Sequence, residues 1–369
     1  MQKKIKVANR ELAVGEELAW SIYDGEGKLL LSEGQVIPDR EKLDSLSKHD
    51  IFRVIEVSNE DPNETSPFFR LSEIGKKLDR VFDMIEASDP KGMDEINTLT
   101  VELDALCMAS PNAVLASVHL PHTMTSSVAH ALQCAILCHI LFARQNLPDE
   151  ERQNIVAAAL TANIGMRGFY EAIKKQETPL SATQRRTIAQ HPQKSAKMLH
   201  EIGIKNATWL KVVLQHHELN DGSGYPSSLS KNQVVIGAKA LAIAERYSMM
   251  ISRHSKHEPI SIGDALKAFF MEQGEKYEKA LCMHLVLELT LFPPGSFVEL
   301  ANGDTAIVVR RNMDQATQPV VKSVADPLGQ VYESPIDRDT ADKEFEIMKL
   351  CQFSAIDKLD LDDIWGYAR

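Results

Sequence analysis

The chain lacks the marks of several whole classes of protein. Its five cysteines, Cys107, Cys134, Cys138, Cys282 and Cys351, are odd in number and form no Cys-x-x-Cys pair. That excludes a disulfide framework and leaves buried thiols in a reducing compartment. The apolar core of a signal peptide is missing, since Met1 to Gly15 alternates charged with apolar residues. The most apolar run, Val128 to Ala143, holds His130, Gln133 and His139. It is shorter than the roughly 20 residues a bilayer requires and reads as a buried core helix. Positive charge is also short: 41 Lys and Arg against 52 Asp and Glu give a net charge of −11, which argues against a nucleic-acid backbone as partner. Neither a fixed-period repeat nor a low-complexity tract is present. The expectation is a cytoplasmic protein with no nucleic-acid partner and no membrane insertion.

What is there is an ordinary globular composition. With 369 residues, 44% hydrophobic and 25% charged, the chain suits two or three domains. Ile5 to about Glu56 reads as short strands, with Asp24-Gly25-Glu26-Gly27 turning a hairpin between Leu18–Tyr23 and Leu29–Leu31, and a short helix at Arg40–Ser47. The polar, two-proline stretch Asn59 to Pro67 reads as a linker. From about Leu71 to Leu291 the period is helical, beginning with Ile74, Leu78, Val81 and Ile85. After Phe292-Pro293-Pro294-Gly295 come strands at 296–300, 305–309, 319–324 and 330–332, then loop and short helix from Ala341 to Arg369. The expected architecture is mainly α: a helical domain over 68–292, a small β-rich N-terminal domain with its linker over 1–67, and a small β-rich C-terminal extension over 293–369. The flanks carry no chemical motif and read as structural or docking modules.

The chemistry is concentrated in His216-His217-Glu218-Leu219-Asn220-Asp221-Gly222-Ser223-Gly224-Tyr225-Pro226. Trp209 to Leu214 reads as a helix, so two adjacent imidazoles sit where a helix ends and a Gly- and Pro-rich turn begins. Adjacent histidines on a helix point about 100° apart and share a metal centre only near such an end.

This run resembles the signature of the HD-GYP family, whose intact members are metal-dependent phosphohydrolases that cleave cyclic di-GMP. The resemblance covers about Thr125 to Ala265 and implies an HD-domain core. It implies metal ligands at His130, in His130-Ala131-Leu132-Gln133-Cys134-Ala135, and at His191, in the pair His191-Pro192. It implies further ligands at His216, His217 and Glu245, the last where the family has an Asp, with Ser248 in place of a second acid. His191, His216 and His217 would serve one ion, and His130 and Glu245 belong to another. The His-Asp-Ile-Gly-Lys motif reads Ala162-Asn163-Ile164-Gly165-Met166 here, with Arg167 adjacent. An imidazole, a bridging carboxylate and a lysine are therefore replaced, and a neutral amide does not hold two close dications. Phosphate contacts fall at Arg253, His254, Lys256 and His257.

The resemblance thus implies a degenerate HD-GYP protein with no catalytic residues at Ala162, Asn163 and Met166. It would hold one divalent transition metal (Fe, Zn, Mn or Ni) or none. Without cyclic di-GMP phosphodiesterase activity, it would act in signalling by binding a partner, such as a diguanylate cyclase (GGDEF) domain or another signalling protein, or cyclic di-GMP itself. The partner loop would be Gly222, Ser223, Gly224, Tyr225 and Pro226, with Ser223 and Tyr225 at the surface; the alternative is that Tyr225 packs inward and only shapes the loop. The alternative is a phosphodiesterase with a reduced or rearranged metal site. A sensor that relays metal or nucleotide binding through the β-rich flanks is a third reading.

Overall fold

Ser66 accepts from the backbone N–H groups of Phe68 and Phe69, and Pro67 occupies the first helical position, so the long helical region starts abruptly. The computed structural model describes residues 2–6, 14–15, 21–24, 28–32, 34–47, 51–56, 66–143, 145, 147–174, 176, 178–252, 260–272 and 274–367. They fall into two compact units, one up to residue 64 and one from Thr65 to Tyr367.

The first unit contains β1 (Gln2–Lys6), β2 (Ile22–Asp24), β3 (Leu29–Leu31), α1 (Arg40–Ser47) and β4 (Ile51–Glu56). Its antiparallel sheet has the order β1-β4-β2-β3. The expected hairpin is present as the β2–β3 pair; the expected start of its first strand and its turn, like most of the expected linker, lie outside the described residues.

The second unit is helical from α2 (Pro67–Glu86) through α3 (Lys91–Ala109), α4 (Pro111–His119), α5 (Ser126–Ala143), α6 (Asp149–Thr161), α7 (Arg167–Lys174), α8 (Ala182–Glu201), α9 (Ala207–Gln215), α10 (Ile236–Ile251), α11 (Ile262–Glu272) and α12 (Lys279–Leu289). α2 buries Leu71, Ile74, Leu78, Val81, Phe82 and Ile85 at helical spacing. At the centre lies α5, buried along most of its length. By length and composition α5 alone among the described helices could cross a bilayer as a single span, but 78% of it is packed inside the protein, as befits a core helix. His139 on α5 is structural: its Nδ1 meets Asp104 Oδ1 at 2.8 Å, and the Arg152 guanidinium grips the same carboxylate at 2.9 and 3.0 Å, tying α3, α5 and α6 together. Burial opposes the charge on Asp104, yet His139 and Arg152 hold its carboxyl far below the usual range.

The sheet β5 (Phe297–Leu300), β6 (Thr305–Arg310), β7 (Val320–Ala325), β8 (Val331–Arg338) and β9 (Ile347–Cys351) has the antiparallel order β8-β7-β6-β5-β9. It belongs to the same compact unit as the helices. Phe297, Ile307, Val309 and Val324 pack with Ala116 and Leu120 at α4, and Trp365 of α13 (Leu361–Trp365) meets Phe68 of α2 edge-on at 5.0 Å. The strand β9 corrects the expectation of only loop and short helix from Ala341 to Arg369. Its residues show no clean period-2 burial, because it is a half-exposed edge strand paired on one side with β5.

Candidate metal centre

Two motifs place imidazoles at sites where the backbone has spare carbonyls. Inside α8, Pro192 has no N–H for the carbonyl of Ile188, and His191 Nδ1 takes that acceptor at 2.6 Å. At the end of α9 the last carbonyls are also free, and His216 Nδ1 donates to Val213 O at 2.7 Å. Each bond fixes the proton on Nδ1 and leaves Nε2 as a bare lone pair. These two Nε2 atoms lie 3.0 Å apart, buried. Two acceptors at that distance call for a cation or a shared proton between them. Burial and the His216 ring beside it keep His191 neutral down to about 3.

His217 completes the group. Its Nε2 is buried without a hydrogen-bond partner, and the three imidazoles offer ligand atoms within 4.8 Å of one another. Burial, then the His216 ring, pushes His217 well below the ordinary imidazole range, so it too is a neutral donor. Three such nitrogens, one of them orphaned, fit a divalent transition metal. Gly165 sets the distance between chain segments here, because a Cβ on it would collide with His191 O and Ser195 N.

Glu245 on α10 lies beside this group. Its Oε2 is 3.6 Å from His217 Nε2, and its Oε1 is 3.8 Å from both His216 Nε2 and His130 Nε2. Burial opposes the charge, but His216, His217 and His130 hold the carboxyl well below its usual range. Asn163 Nδ2 donates to Oε1 at 2.5 Å, while Asn163 Oδ1 is buried without a partner. On the far side, Ser248 Oγ donates to Gln133 Oε1 at 2.6 Å, so it accepts from His130 Nδ1 at 3.1 Å. His130 Nε2 is therefore bare as well, and the Tyr170 ring stacks on the imidazole at 5.5 Å. Residues 248 and 245 share one face of α10, and 130, 133 and 134 one face of α5, by helical spacing. Cys134 is the residue that sequence reasoning passed over. Its Sγ lies 3.7 Å from His130 Nε2, and it joins His130 and Glu245 in a second group of ligand atoms within 4.8 Å. Its signal was the i, i+4 spacing from His130.

Several expectations change on inspection. Glu218 is buried away from the imidazoles and accepts from the backbone N–H of Ser227 at 2.6 Å and Leu229 at 2.8 Å, so it shapes the loop. Tyr225 was expected at the surface as a partner anchor. It instead stacks on His217 at 4.6 Å and 28°, with its N–H on His217 O. The loop folds back because Gly224 has no Cβ, which would overlap His217 O and Glu218 Cα. Ser223 remains exposed, bonded to Asp221. Arg167 does not stand in for the missing lysine, since its guanidinium is bound to Asp79, Asp83 and Glu86 of α2 at 2.6–3.0 Å. Ala162 and Met166 are buried in apolar packing. Arg253, His254, Lys256 and His257 lie outside the described residues. A cavity of about 640 Å³ opens beside His130, Gln133 and Tyr170 and is also lined by Phe297 and Leu350 of the C-terminal sheet. Its described lining holds no lysine or arginine.

Several known proteins are similar to this chain. An HD-domain family model matches residues 112–281. A cyclic di-GMP phosphodiesterase of Pseudomonas aeruginosa is 25% identical over 293 residues, 78% of this chain and 68% of that protein. The cyclic di-GMP phosphodiesterase PdeB of Borreliella burgdorferi is 21% identical over 53% of this chain and 52% of its own length. A 3'3'-cGAMP-specific phosphodiesterase of Vibrio cholerae is 24% identical over 43% and 31% respectively. Among solved structures, the HDG"Y"P protein Bd1817 of Bdellovibrio bacteriovorus superposes with a TM-score of 0.52 at 15% identity, covering 77% of this chain and 98% of that one, a likeness of fold. The HD-domain match and the cyclic di-GMP phosphodiesterase relatives together support a likeness to the HD-GYP family.

Proposed function

We propose that this protein is a degenerate, cytoplasmic HD-GYP regulator that binds one divalent transition metal (Fe, Zn, Mn or Ni) on His191, His216 and His217 and does not hydrolyse cyclic di-GMP. The observation that carries this reading is the 2.5 Å bond from the Asn163 amide to Glu245. A neutral hydrogen-bond donor stands where two-ion hydrolysis needs a second anionic oxygen, and losing such charge stabilisation forfeits several kcal/mol of rate acceleration. When bound, the ion supplies Lewis acidity toward a phosphoryl oxygen. The residues around it orient three neutral imidazoles, exclude water with the Tyr225 ring, and hold Glu245 ionised. Exposed Asp221, Ser223, Ser227 and Ser228 then form the partner-facing side of the loop, suited to a diguanylate cyclase domain or another signalling protein, with cyclic di-GMP as the alternative ligand.

A second reading is hydrolysis of cyclic di-GMP at a rearranged site. In its favour, the Glu245 carboxylate reaches His130, His216 and His217 at 3.6–3.8 Å. An assay with iron- or manganese-loaded protein separates the two. The expected result is no turnover above that of a His216→Ala variant. Turnover comparable with that of an intact relative, abolished by His216→Ala, overturns the first reading in favour of the second.

A further inference from the structure

We propose that a second cavity, away from the metal centre, binds a small uncharged aromatic alcohol whose hydroxyl donates to His139 Nε2. The cavity, of about 200 Å³, lies where α3, α4 and α5 meet Glu288 of α12 and Arg311 beyond β6. His139 stands nine positions after His130 on α5, about 13 Å further along the helix. Its side chain is 3% exposed and lines the cavity. Asp104 Oδ1 holds its Nδ1 at 2.8 Å, and no group among the described residues bonds its Nε2. That nitrogen is not sealed in the packing, so it opens on the cavity that the ring lines. The Asp104 carboxylate also accepts twice from Arg152 and once from Gln153 Nε2, at 3.3 Å. A carboxylate so firmly held fixes the proton on Nδ1 and the plane of the ring, and the neutral ring presents a lone pair at Nε2. Tying α3 to α5 and α6 needs only the Nδ1 side of this imidazole; the Nε2 side is left for a guest.

Size and lining set the guest. An apolar cavity of about 150 Å³ accommodates benzene, so one of about 200 Å³ takes a single substituted ring. Val114 of α4 and Ile136 and Ile140 of α5 supply apolar walls. Met108, 58% exposed, also lines the cavity, and its thioether suits the edge of an aromatic ring. Charge here is already matched. Arg311 Nη1 meets Glu288 Oε2 at 3.2 Å and its Nε donates to Asn112 Oδ1 at 3.1 Å, while Arg152 is paired with Asp104. An entering carboxylate or ammonium would lack a counter-ion of its own, and burying it is costly. A hydroxyl needs only the one acceptor that Nε2 supplies. Occupancy would also brace the joint between the helices and the C-terminal sheet, because Arg311 donates to the Glu288 carbonyl of α12 beside the same cavity.

The test is a titration of the full chain with phenol, toluene and benzoate, read by calorimetry and by nitrogen-15 NMR of the imidazoles. The expected result is one phenol per chain, bound about tenfold more tightly than toluene, as one buried hydrogen bond supports, with benzoate not bound. The His139 Nε2 signal should move with phenol, and the affinity should be the same with and without a chelator. His139→Gln should bring phenol down to the affinity of toluene. Ala143→Phe, at an exposed lining position, should block the cavity and abolish binding while leaving the Asp104–His139 pair in place. No saturable phenol binding, toluene bound as tightly as phenol, or benzoate bound in preference each overturns the inference. Phenol binding that a chelator abolishes also overturns it, since the phenol is then at the metal centre. Full binding by Ala143→Phe does the same. The three-ligand comparison uses the unmodified chain, so the test survives a His139→Gln protein that fails to fold.

Discussion

The two halves of the centre are built in different ways. On the α8–α9 side the imidazoles are fixed by main-chain carbonyls freed by a proline and by a helix end. On the α5–α10 side His130 is fixed by other side chains, through Ser248 and Gln133. A ligand held by the backbone depends on little beyond the helix that carries it. One held by a relay depends on each member, and a single substitution alters its tautomer, its aim or its charge. By the resemblance to the HD-GYP motifs, Ala162, Asn163, Glu245 and Ser248 are the positions that differ, and His130, His191, His216 and His217 are the positions that match.

The strongest way to break the comparison is to restore the acid between the halves. Asn163→Asp replaces a donor to Glu245 with a second carboxylate in contact with it. Without metal, two buried like charges should destabilise the fold by about 3 kcal/mol. Saturating Mn²⁺ or Zn²⁺ should recover that loss and more, because the acid is now a ligand. Thermal melts with chelator and with metal check both halves of the claim. Hydrolysis should still not appear, since position 162 lacks its imidazole. An Asn163→Asp protein that melts like the parent in chelator would mean that Asn163 and Glu245 are not in contact.

How much of this was legible in the sequence follows the same division. The helical core and the β-rich ends could be read because long helices repeat their apolar residues through many turns, as in α2. The imidazoles of α8 and α9 were legible through the resemblance, in the pair His191-Pro192 and in the His216-His217 run with its Gly-rich turn, whereas the backbone carbonyls that fix them were not. Cys134 was not singled out, because a cysteine on an apolar helix looks like core until a carboxylate arrives from another helix, 111 positions on at Glu245. Whether Tyr225 turns inward was left open for a similar reason. A Gly-x-Gly pattern announces a turn, but whether the turn folds back depends on the space above His217 and Glu218. The edge strand β9 was lost because half-exposure blurs its alternation.

Tyr225 offers a smaller test, on the backbone-built half. Its ring covers His217 and faces His191 edge-on at 6.4 Å. Tyr225→Ala should lower stability by about 2 kcal/mol, less than for a fully buried aromatic, and should speed loss of the triad's ion to a chelator. Tyr225→Phe should retain both properties, because the ring and not the hydroxyl does the covering. Ser223→Ala, at an exposed position, should leave the melting temperature unchanged within about 0.5 kcal/mol while weakening partner capture. Were Tyr225→Ala as stable as the parent with unchanged metal retention, the ring would have no role at the centre and the surface reading would return.

The smallest expected effect is the most specific to the relay-built half. Ser248→Ala removes the acceptor of His130 Nδ1 and the donor to Gln133 Oε1 in one step. The stability cost should be about 1 kcal/mol, as for a buried hydrogen-bonded hydroxyl whose partners must find water or each other. The His130 tautomer is then free to change, and with the proton on Nε2 the ring no longer offers a lone pair toward Cys134 and Glu245. The nitrogen-15 signals of the His130 imidazole should therefore move toward the other tautomer, with the triad's metal affinity unaltered. Nitrogen-15 NMR of the imidazoles measures the first quantity, and a competition titration against a chelator measures the second. A triad affinity that falls together with the change at His130 would show that the two halves are not independent and that the contrast between backbone-held and relay-held residues does not govern how this centre binds metal.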